Sequence, residues 1–184
     1  MKKFIIIGGC PATGKKTIGL NLSMVTGMPF LEYSTYLLDT GAAMVIKGEV
    51  IIDESKAEDV FDGLTGKYII SGTYALRLVN PDEVSRVIII RCNPFVLFYR
   101  YLIRNYELVK IRENLTAEFI DKCLSETLEI VGEKRVMQID STYETPYTIA
   151  IRIVRALKSN YLIYDKVDWL SYIGDQNKLK MLMI

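Results

Sequence analysis

The chain has 184 residues, of which 50% are apolar and 24% charged, a composition that suits one compact domain with a sizeable core and argues against a disordered or fibrous protein. Its formal net charge of +1 provides no overall field that would attract nucleic acid or an anionic membrane surface. Because the sequence contains no histidine, histidine-dependent nucleophiles, histidine acid–base catalysis and histidine metal ligation are all excluded.

Five continuous apolar runs predict strands that are buried on both faces. In chain order they are Phe4 to Ile7, Pro29 to Tyr33, Tyr68 to Ile70, Val87 to Ile90 and Val136 to Ile139. Helical patterns lie between these runs, and such alternation predicts an α/β fold with a five-stranded parallel sheet. In sheets of this kind ligands bind beyond the carboxyl ends of the strands, so we expect function in the loops at that edge.

A glycine-rich loop follows the first predicted strand. Gly9, Gly14 and Lys15 have the spacing of a phosphate-binding loop, and Ile18 and Leu22 then continue at helical spacing. Convergent backbone N–H groups, the positive end of the helix and the ammonium charge of Lys15 would together hold phosphates. This order of strand, loop and helix predicts a nucleotide-binding loop.

The position after Lys15 departs from the strict motif, which requires a Ser or Thr hydroxyl that ligates magnesium. Lys16 occupies that position. Two unit charges about 4 Å apart interact by about 4 kcal/mol at an effective dielectric near 20, so an ammonium beside a divalent ion costs roughly 8 kcal/mol. Either Lys16 points outward and Thr17 or water holds the metal, or Lys16 neutralises the phosphates in place of magnesium.

Later helices are predicted from spacing and caps. A stripe of apolar positions predicts one helix that ends at Gly132. The stripe consists of Ile111, Leu115, Phe119, Cys123, Leu124, Leu128 and Val131. Asn93 before Pro94 and Thr145 before Pro146 each place a capping residue ahead of a first-turn proline, which predicts two further helix starts.

Periodicity weakens after Leu157, and residues 158–184 are predicted to be an aromatic C-terminal tail. Its aromatic residues include Tyr161, Tyr164, Trp169 and Tyr172. We interpret them as anchors that pack on the domain rather than as a stacking platform for bases.

The cysteines and the apolar runs indicate the cellular compartment in which we expect the chain. Cys10, Cys92 and Cys123 are odd in number and lack CxxC spacing, which argues against a disulfide framework or a structural zinc site. No run approaches the ~18 to 20 apolar residues of a membrane-spanning helix. We expect a soluble, cytoplasmic single domain over residues 1–184, with no membrane contact and no direct nucleic-acid signature.

Together with the glycine-rich loop, several downstream blocks make the chain similar to the nuclear/archaeal adenylate kinase family. These blocks are Leu97-Phe98-Tyr99-Arg100, Arg104-Asn105-Tyr106, Lys110-Ile111-Arg112-Glu113-Asn114, Ala117-Glu118 and Val167-Asp168-Trp169-Leu170. The resemblance implies a P-loop NTPase fold with α/β/α layers of the nucleoside-monophosphate kinase type. It also implies adenylate kinase activity (ATP and AMP to ADP), ATP hydrolysis and a part in small ribosomal subunit maturation through a ribosomal protein.

Carried over by position, the resemblance implies nucleotide-phosphate contacts in the glycine-rich loop. They are Gly9, Ala12, Gly14, Lys15, Lys16 and Thr17. It also implies a lid at residues 104–114 and an acceptor-binding insertion at residues 34–53. Independently, Arg100 and Arg104 lie four apart on one helical face and could clamp phosphates, so we assign them catalytic roles with Lys15. The alternative for both arginines is a surface ion pair.

The third predicted strand leads into Ser71-Gly72-Thr73, where the family usually has an aspartate and a histidine two residues apart. The aspartate normally helps to hold magnesium, so a magnesium site is doubtful here, with Thr17 the one metal candidate. Asp39 and Asp53 are the nearest replacement carboxylates, although we favour Asp53 as a helix cap.

Three functions stay open at this point. We favour an ATP-dependent kinase or ATPase, because the loop lysine, both arginines and the lid block are present. A degenerate nucleotide- or ribosomal-protein-binding switch and a kinase for another small phosphate acceptor are the alternatives. Tyr33, Tyr36 and Leu37 either line the acceptor pocket or fill the core. A further hypothesis is that the helix N-terminus stabilises a Cys10 thiolate and makes it oxidisable.

Overall fold

The computed structural model describes residues 3–46, 49–57 and 59–172. Its strands, in chain order, are β1 Lys3–Gly8, β2 Phe30–Glu32, β3 Ala43–Ile46, β4 Glu49–Ile52, β5 Lys67–Ser71, β6 Val84–Arg91 and β7 Val136–Asp140. Strands β2, β5, β1, β6 and β7 lie side by side in that order, and every neighbouring pair is parallel. The predicted five-stranded parallel sheet is therefore confirmed, with β1 at its centre.

The helices cover both faces of this sheet. In chain order they are α1 Lys15–Thr26, α2 Tyr33–Asp39, α3 Glu54–Ala57, α4 Pro94–Ile103, α5 Leu108–Phe119, α6 Lys122–Val131, α7 Pro146–Ser159 and α8 Trp169–Tyr172. Alternate residues of a strand point to opposite faces, and β1 shows this directly. Phe4 and Ile6 pack with Leu37 and Leu124 on one face. Ile5 and Ile7 pack on the other face with α1 and α7.

The single long helix predicted from the apolar stripe is wrong, because the structure divides it into α5 and α6. Asp121 lies between them with φ 55, a left-handed conformation that aspartate tolerates better than most residues. The two halves also pack against different clusters. Leu115 joins the cluster around Leu97 and Tyr101, whereas Leu124 joins the core on one sheet face. The apolar stripe in the sequence does not show that its two halves pack against different clusters.

The predicted helix caps are confirmed. The Asn93 side chain accepts a hydrogen bond from the Phe95 backbone N–H at 2.9 Å, and Thr145 accepts one from Thr148 at 3.2 Å. Asp53 precedes α3 and accepts a hydrogen bond from the Ser55 hydroxyl at 2.6 Å. Hydrogen bonds from Ser55 and Lys56 lower the pKa of Asp53. The cap interpretation of Asp53 therefore agrees with the structure.

The described part of the predicted acceptor insertion holds α2 and an antiparallel hairpin of β3 and β4. Glu32 starts α2 by accepting the backbone N–H groups of Ser34 at 3.4 Å and Thr35 at 2.9 Å. The hairpin carries exposed apolar side chains. They are Met44, Val45, Ile46, Val50 and Ile51.

Among the aromatic side chains described in the predicted tail, one is buried. Trp169 is buried, and its indole N–H donates a hydrogen bond to Glu118 at 3.0 Å. Tyr161 and Tyr164 are exposed. The Tyr172 side chain and residues 173–184 lie outside the described part of the chain. Over the described residues, the structure contains no helix with the length and apolarity needed to cross a membrane.

Candidate active site

The glycine-rich loop joins β1 to α1 at the carboxyl edge of the sheet. Gly9 has φ 130 and Gly14 has φ 101, and both values favour glycine. A Cβ atom on Gly9 would lie 2.3 Å from the Ile90 carbonyl oxygen of the neighbouring strand. Gly9 therefore lets the loop pass directly over β6, and Gly14 turns the chain into the helix.

Lys15 is folded back onto this loop. Its Nζ donates hydrogen bonds to the Gly9 carbonyl at 2.8 Å and to the Cys10 carbonyl at 2.7 Å. Burial lowers the pKa of Lys15 to about 8. A phosphate would give this ammonium a better partner than the two neutral carbonyl groups, because the opposite charges attract each other in addition to the hydrogen bonds.

A cavity of about 310 Å³ lies beside the loop. Lys16 and Thr17 line it from the start of α1, and both are exposed to solvent. Glu32 and the segment 71–73 line it from the ends of β2 and β5. Arg104, just after α4, also lines it. The structure thus brings together residues from four places in the sequence, and cations predominate among their charged groups.

The two arginines of the predicted clamp have different positions. Arg104 lines the cavity together with Tyr106. Arg100 instead donates a hydrogen bond from Nη1 to the Ala12 carbonyl at 2.8 Å, and Tyr101 donates from its hydroxyl to the Pro11 carbonyl at 2.9 Å. Helix α4 therefore supports the phosphate loop from behind through Arg100, while Arg104 at its end faces the cavity.

Thr17 and Glu32 line the cavity and carry oxygen atoms of the kind that a magnesium ion binds. Across the described ranges, no group of three potential metal-ligating side chains occurs. Glu32 is the one carboxylate that lines the cavity, and it already accepts the Thr35 hydroxyl at 2.6 Å and backbone N–H groups. Asp39 and Asp53 do not line this cavity. Thr73 donates its hydroxyl to the Gly9 carbonyl at 3.1 Å, so it braces the loop.

A second cavity, of about 670 Å³, lies beside the acceptor insertion. Tyr33 lines it, whereas Tyr36 stacks on Phe61 with ring centroids 5.4 Å apart and Leu37 is fully buried. All three pocket candidates thus pack in or against the core, and Tyr33 alone among them also lines the cavity. Arg77 also lines this cavity.

Sequence reasoning missed Arg77. Its position could have identified it, because Arg77 follows β5 at the carboxyl edge of the sheet, where ligand-binding residues usually lie. Its guanidinium pairs with Glu126 at 3.0 Å and lies 5.2 Å from the centre of the Tyr74 ring. Tyr74 also lines a third cavity, of about 610 Å³, which extends along α5 and α6.

The hypothesis that the helix N-terminus stabilises a Cys10 thiolate is wrong. Cys10 is 1% exposed and its Sγ lies 3.8 Å from the Sγ of Cys123. The hydrogen bond to Cys123 and burial raise the pKa of Cys10, so its proton stays on the sulfur.

Comparison with known proteins gives relatives along most of the chain. A family model described as an AAA domain matches residues 5–121. A protein named "Putative adenylate kinase" from Methanocaldococcus jannaschii is 32% identical over 171 residues, which cover 90% of this chain and 92% of that protein. A protein with the same name from Thermococcus onnurineus is 30% identical over 156 residues, 84% of each chain.

Solved structures share the fold at low sequence identity. A shikimate kinase from Acinetobacter baumannii in complex with shikimate has a TM-score of 0.59 and 15% identity, and the match covers 87% of this chain and 94% of that one. The YorR protein of Bacillus subtilis, in complex with phosphorylated GDP, has a TM-score of 0.60 and 19% identity, covering 85% and 96%. These matches show the P-loop kinase architecture.

Proposed function

Because the chain belongs to the adenylate kinase-like family of nucleotide kinases, we propose that it binds ATP and transfers the terminal phosphoryl group to AMP or another small phosphate acceptor. The observation that carries this proposal is the cavity of about 310 Å³ between the phosphate loop and Arg104. Its lining combines loop backbone with the cations Lys15, Lys16 and Arg104, which suits a polyphosphate chain.

Binding begins with the phosphate loop in this proposal. Backbone N–H groups at the start of α1 and the positive end of that helix attract the phosphates. Lys15 then exchanges its bonds to the Gly9 and Cys10 carbonyls for phosphate oxygens. Arg100 acts as a positioning residue, because its bond to the Ala12 carbonyl fixes the loop without reaching the cavity.

Transfer depends on neutralising the charge of the phosphoryl group between donor and acceptor. Arg104 and Lys15 flank that space, and Tyr106 beside Arg104 helps to exclude water from it. The acceptor lies toward Tyr33 and Arg77 in the second cavity, where Arg77 binds its phosphate after leaving Glu126.

No step is assigned to magnesium, for which Thr17 and Glu32 are the candidate ligands among the described residues that line the cavity. The positive charges at the cavity, with Lys16 at the hydroxyl position of the motif, replace part of its electrostatic role. This substitution also favours a second candidate function, a nucleotide-binding switch without turnover. A contact with a small-subunit ribosomal protein rests on the family resemblance alone and stays a prediction.

The two candidates differ in turnover and can be separated with one protein sample. We expect calorimetry to show ATP binding with and without magnesium, and we expect ADP to form when ATP and AMP are supplied together. If the chain binds ATP but forms no ADP when AMP or other small phosphate acceptors are supplied, the nucleotide-binding switch is the remaining candidate. Absence of ATP binding under both conditions would overturn the proposal.

Replacing Lys16 by Thr should make nucleotide binding depend on magnesium. The variant regains the hydroxyl of the strict motif and loses one cation, and a single charge-assisted contact at an exposed position contributes roughly tenfold in affinity. We expect the K16T variant to bind ATP about tenfold more weakly than the parent without magnesium and to recover when magnesium is added. Calorimetric titration of both proteins measures this difference.

The matched control is Lys158→Thr, which makes the same charge change on the exposed end of α7. Its magnesium response should equal that of the unmodified chain. Equal magnesium responses in K16T and the unmodified chain would show that Lys16 does not stand in for the metal.

A further inference from the structure

Two cysteine thiols from distant parts of the chain meet beside the phosphate loop. Cys10 follows the first glycines of the loop, and Cys123 lies in the first turn of α6, 113 residues later. Their Sγ atoms are 3.8 Å apart. A disulfide bond requires about 2.05 Å, so the two sulfur atoms need to approach by about 1.8 Å.

Both cysteines contribute to the lining of the third cavity. Cys123 is partly exposed and Cys10 is buried, so a reagent in the cavity meets Cys123 first. The hydrogen bond from Cys10 lowers the pKa of Cys123, and the positive charge of Lys15 acts in the same direction. Cys123 is therefore the attacking thiolate, and Cys10 keeps its proton until the second step.

We propose that Cys10 and Cys123 form a reversible disulfide that ties the phosphate loop to α6. In the first step the Cys123 thiolate attacks an oxygen of a hydroperoxide, which gives a sulfenic acid and releases an alcohol or water. In the second step the Cys10 sulfur displaces the sulfenic oxygen, and the proton of Cys10 leaves with it as water. Two thiols are oxidised to one disulfide while one peroxide is reduced, and a thiol reductant reverses the bond.

The disulfide acts on the loop at the place where Lys15 is held. The Cys10 carbonyl accepts the Lys15 ammonium at 2.7 Å, so a movement of Cys10 toward α6 displaces a partner of that lysine. Loss of one hydrogen bond to a charged partner costs roughly tenfold or more in affinity. Resting on the proposed function, this shift predicts that oxidation weakens ATP binding at least tenfold.

The bond itself is tested by peptide mapping under non-reducing conditions. Hydrogen peroxide and oxidised glutathione are applied separately to the full chain and to the Cys10→Ser, Cys123→Ser and Cys92→Ser variants. Cys92 is the third cysteine, fully buried in another cluster, and serves as the matched control. We expect a linked Cys10–Cys123 peptide in the unmodified chain and in C92S, its loss after dithiothreitol, and none in C10S or C123S. The proposal is overturned if the linked peptide is absent from both the unmodified chain and C92S, or if a disulfide forms through Cys92.

The effect on the loop is tested by ATP titration of the reduced and oxidised forms. We expect at least tenfold weaker binding after oxidation in the unmodified chain and in C92S, and no change on oxidant treatment of C123S. Equal affinity in both forms contradicts the loop restraint. If the reduced protein binds no ATP, the proposed function fails, but the disulfide proposal is still open to test. In that case slower amide hydrogen exchange over residues 9–15 in the oxidised form supports the restraint, and unchanged exchange contradicts it.

Discussion

Replacing Lys15 by Ala should lower ATP affinity about 100-fold and abolish ADP formation. Lys15 provides the partly buried ammonium at the phosphate loop, where two carbonyl groups now hold it. Loss of hydrogen bonds to a charged partner costs roughly 1.5–3 kcal/mol, and about 2.8 kcal/mol is 100-fold in affinity. Calorimetry with ATP and an ADP-forming assay check the two effects.

The stability of this variant gives an internal check on that result. Since burial lowers the pKa of Lys15 to about 8, the charged ammonium is less favourable in the folded chain than in water. Its removal should therefore leave the thermal unfolding midpoint unchanged or higher. A K15A variant that loses binding together with a large drop in this midpoint would point to misfolding instead. The control for the loss of one positive charge is Lys158→Ala on α7. Unchanged ATP affinity in K15A would contradict the assignment of Lys15 as a phosphate-binding residue.

The same lysine sets the direction of the pH dependence. Its ammonium is protonated below a pH of about 8 and loses its charge above it, so ATP affinity should fall as the pH rises through this range. Bound phosphate stabilises the charged form and moves the midpoint upward. A Lys15→Arg variant should lose this fall, because a guanidinium does not titrate there.

Replacing Glu118 by Ala should destabilise the fold by roughly 3–5 kcal/mol, because it leaves a buried guanidinium without its main carboxylate. The Arg91 side chain is almost fully buried, and its Nε donates to Glu118 at 2.8 Å. The same carboxylate accepts the Cys92 backbone N–H at 3.2 Å and the Trp169 indole at 3.0 Å. For a chain of this length the thermal midpoint should fall by roughly 6–20 °C.

The control for this loss lies on the same helix. Glu113 pairs with Lys110 at 3.3 Å, with both side chains more than half exposed. Exposed pairs of this spacing contribute about 0.3–0.5 kcal/mol, so Glu113→Ala should move the thermal midpoint by less than roughly 2 °C. Calorimetric or circular dichroism melting of both variants measures the difference. Similar small shifts in the two variants would show that Asp121 and Gln138 satisfy Arg91 without Glu118.

The parts of the fold that sequence predicted are those set by local patterns. Continuous apolar runs identified the five parallel strands, and Asn93 and Thr145 identified helix starts, because each signal lies within a few residues. Gly9, Gly14 and Lys15 located the phosphate loop for the same reason. The hairpin of β3 and β4 was missed, since its exposed apolar residues do not alternate with polar ones.

Other features depend on contacts between distant residues, which a single sequence does not display. The proximity of Cys10 and Cys123 requires the fold, and so does the use of Arg100 to hold the Ala12 carbonyl. Helical spacing placed Arg100 and Arg104 on one face, yet α4 ends between them and the cavity receives only the second. Spacing alone does not state where a helix stops.

The ion pairs near the junction of α5 and α6 restrict how this site can close. Asp121 pairs with Arg91 at the end of β6, and Glu118 one turn earlier binds the same guanidinium and Trp169. The carboxyl end of α5 is thus pinned to the sheet and to α8. A swing of the whole helix α5 would break the buried ion pair between Arg91 and Glu118. We therefore expect closure over a nucleotide to be a short movement of residues 104–107, with little mass to move and little surface to seal.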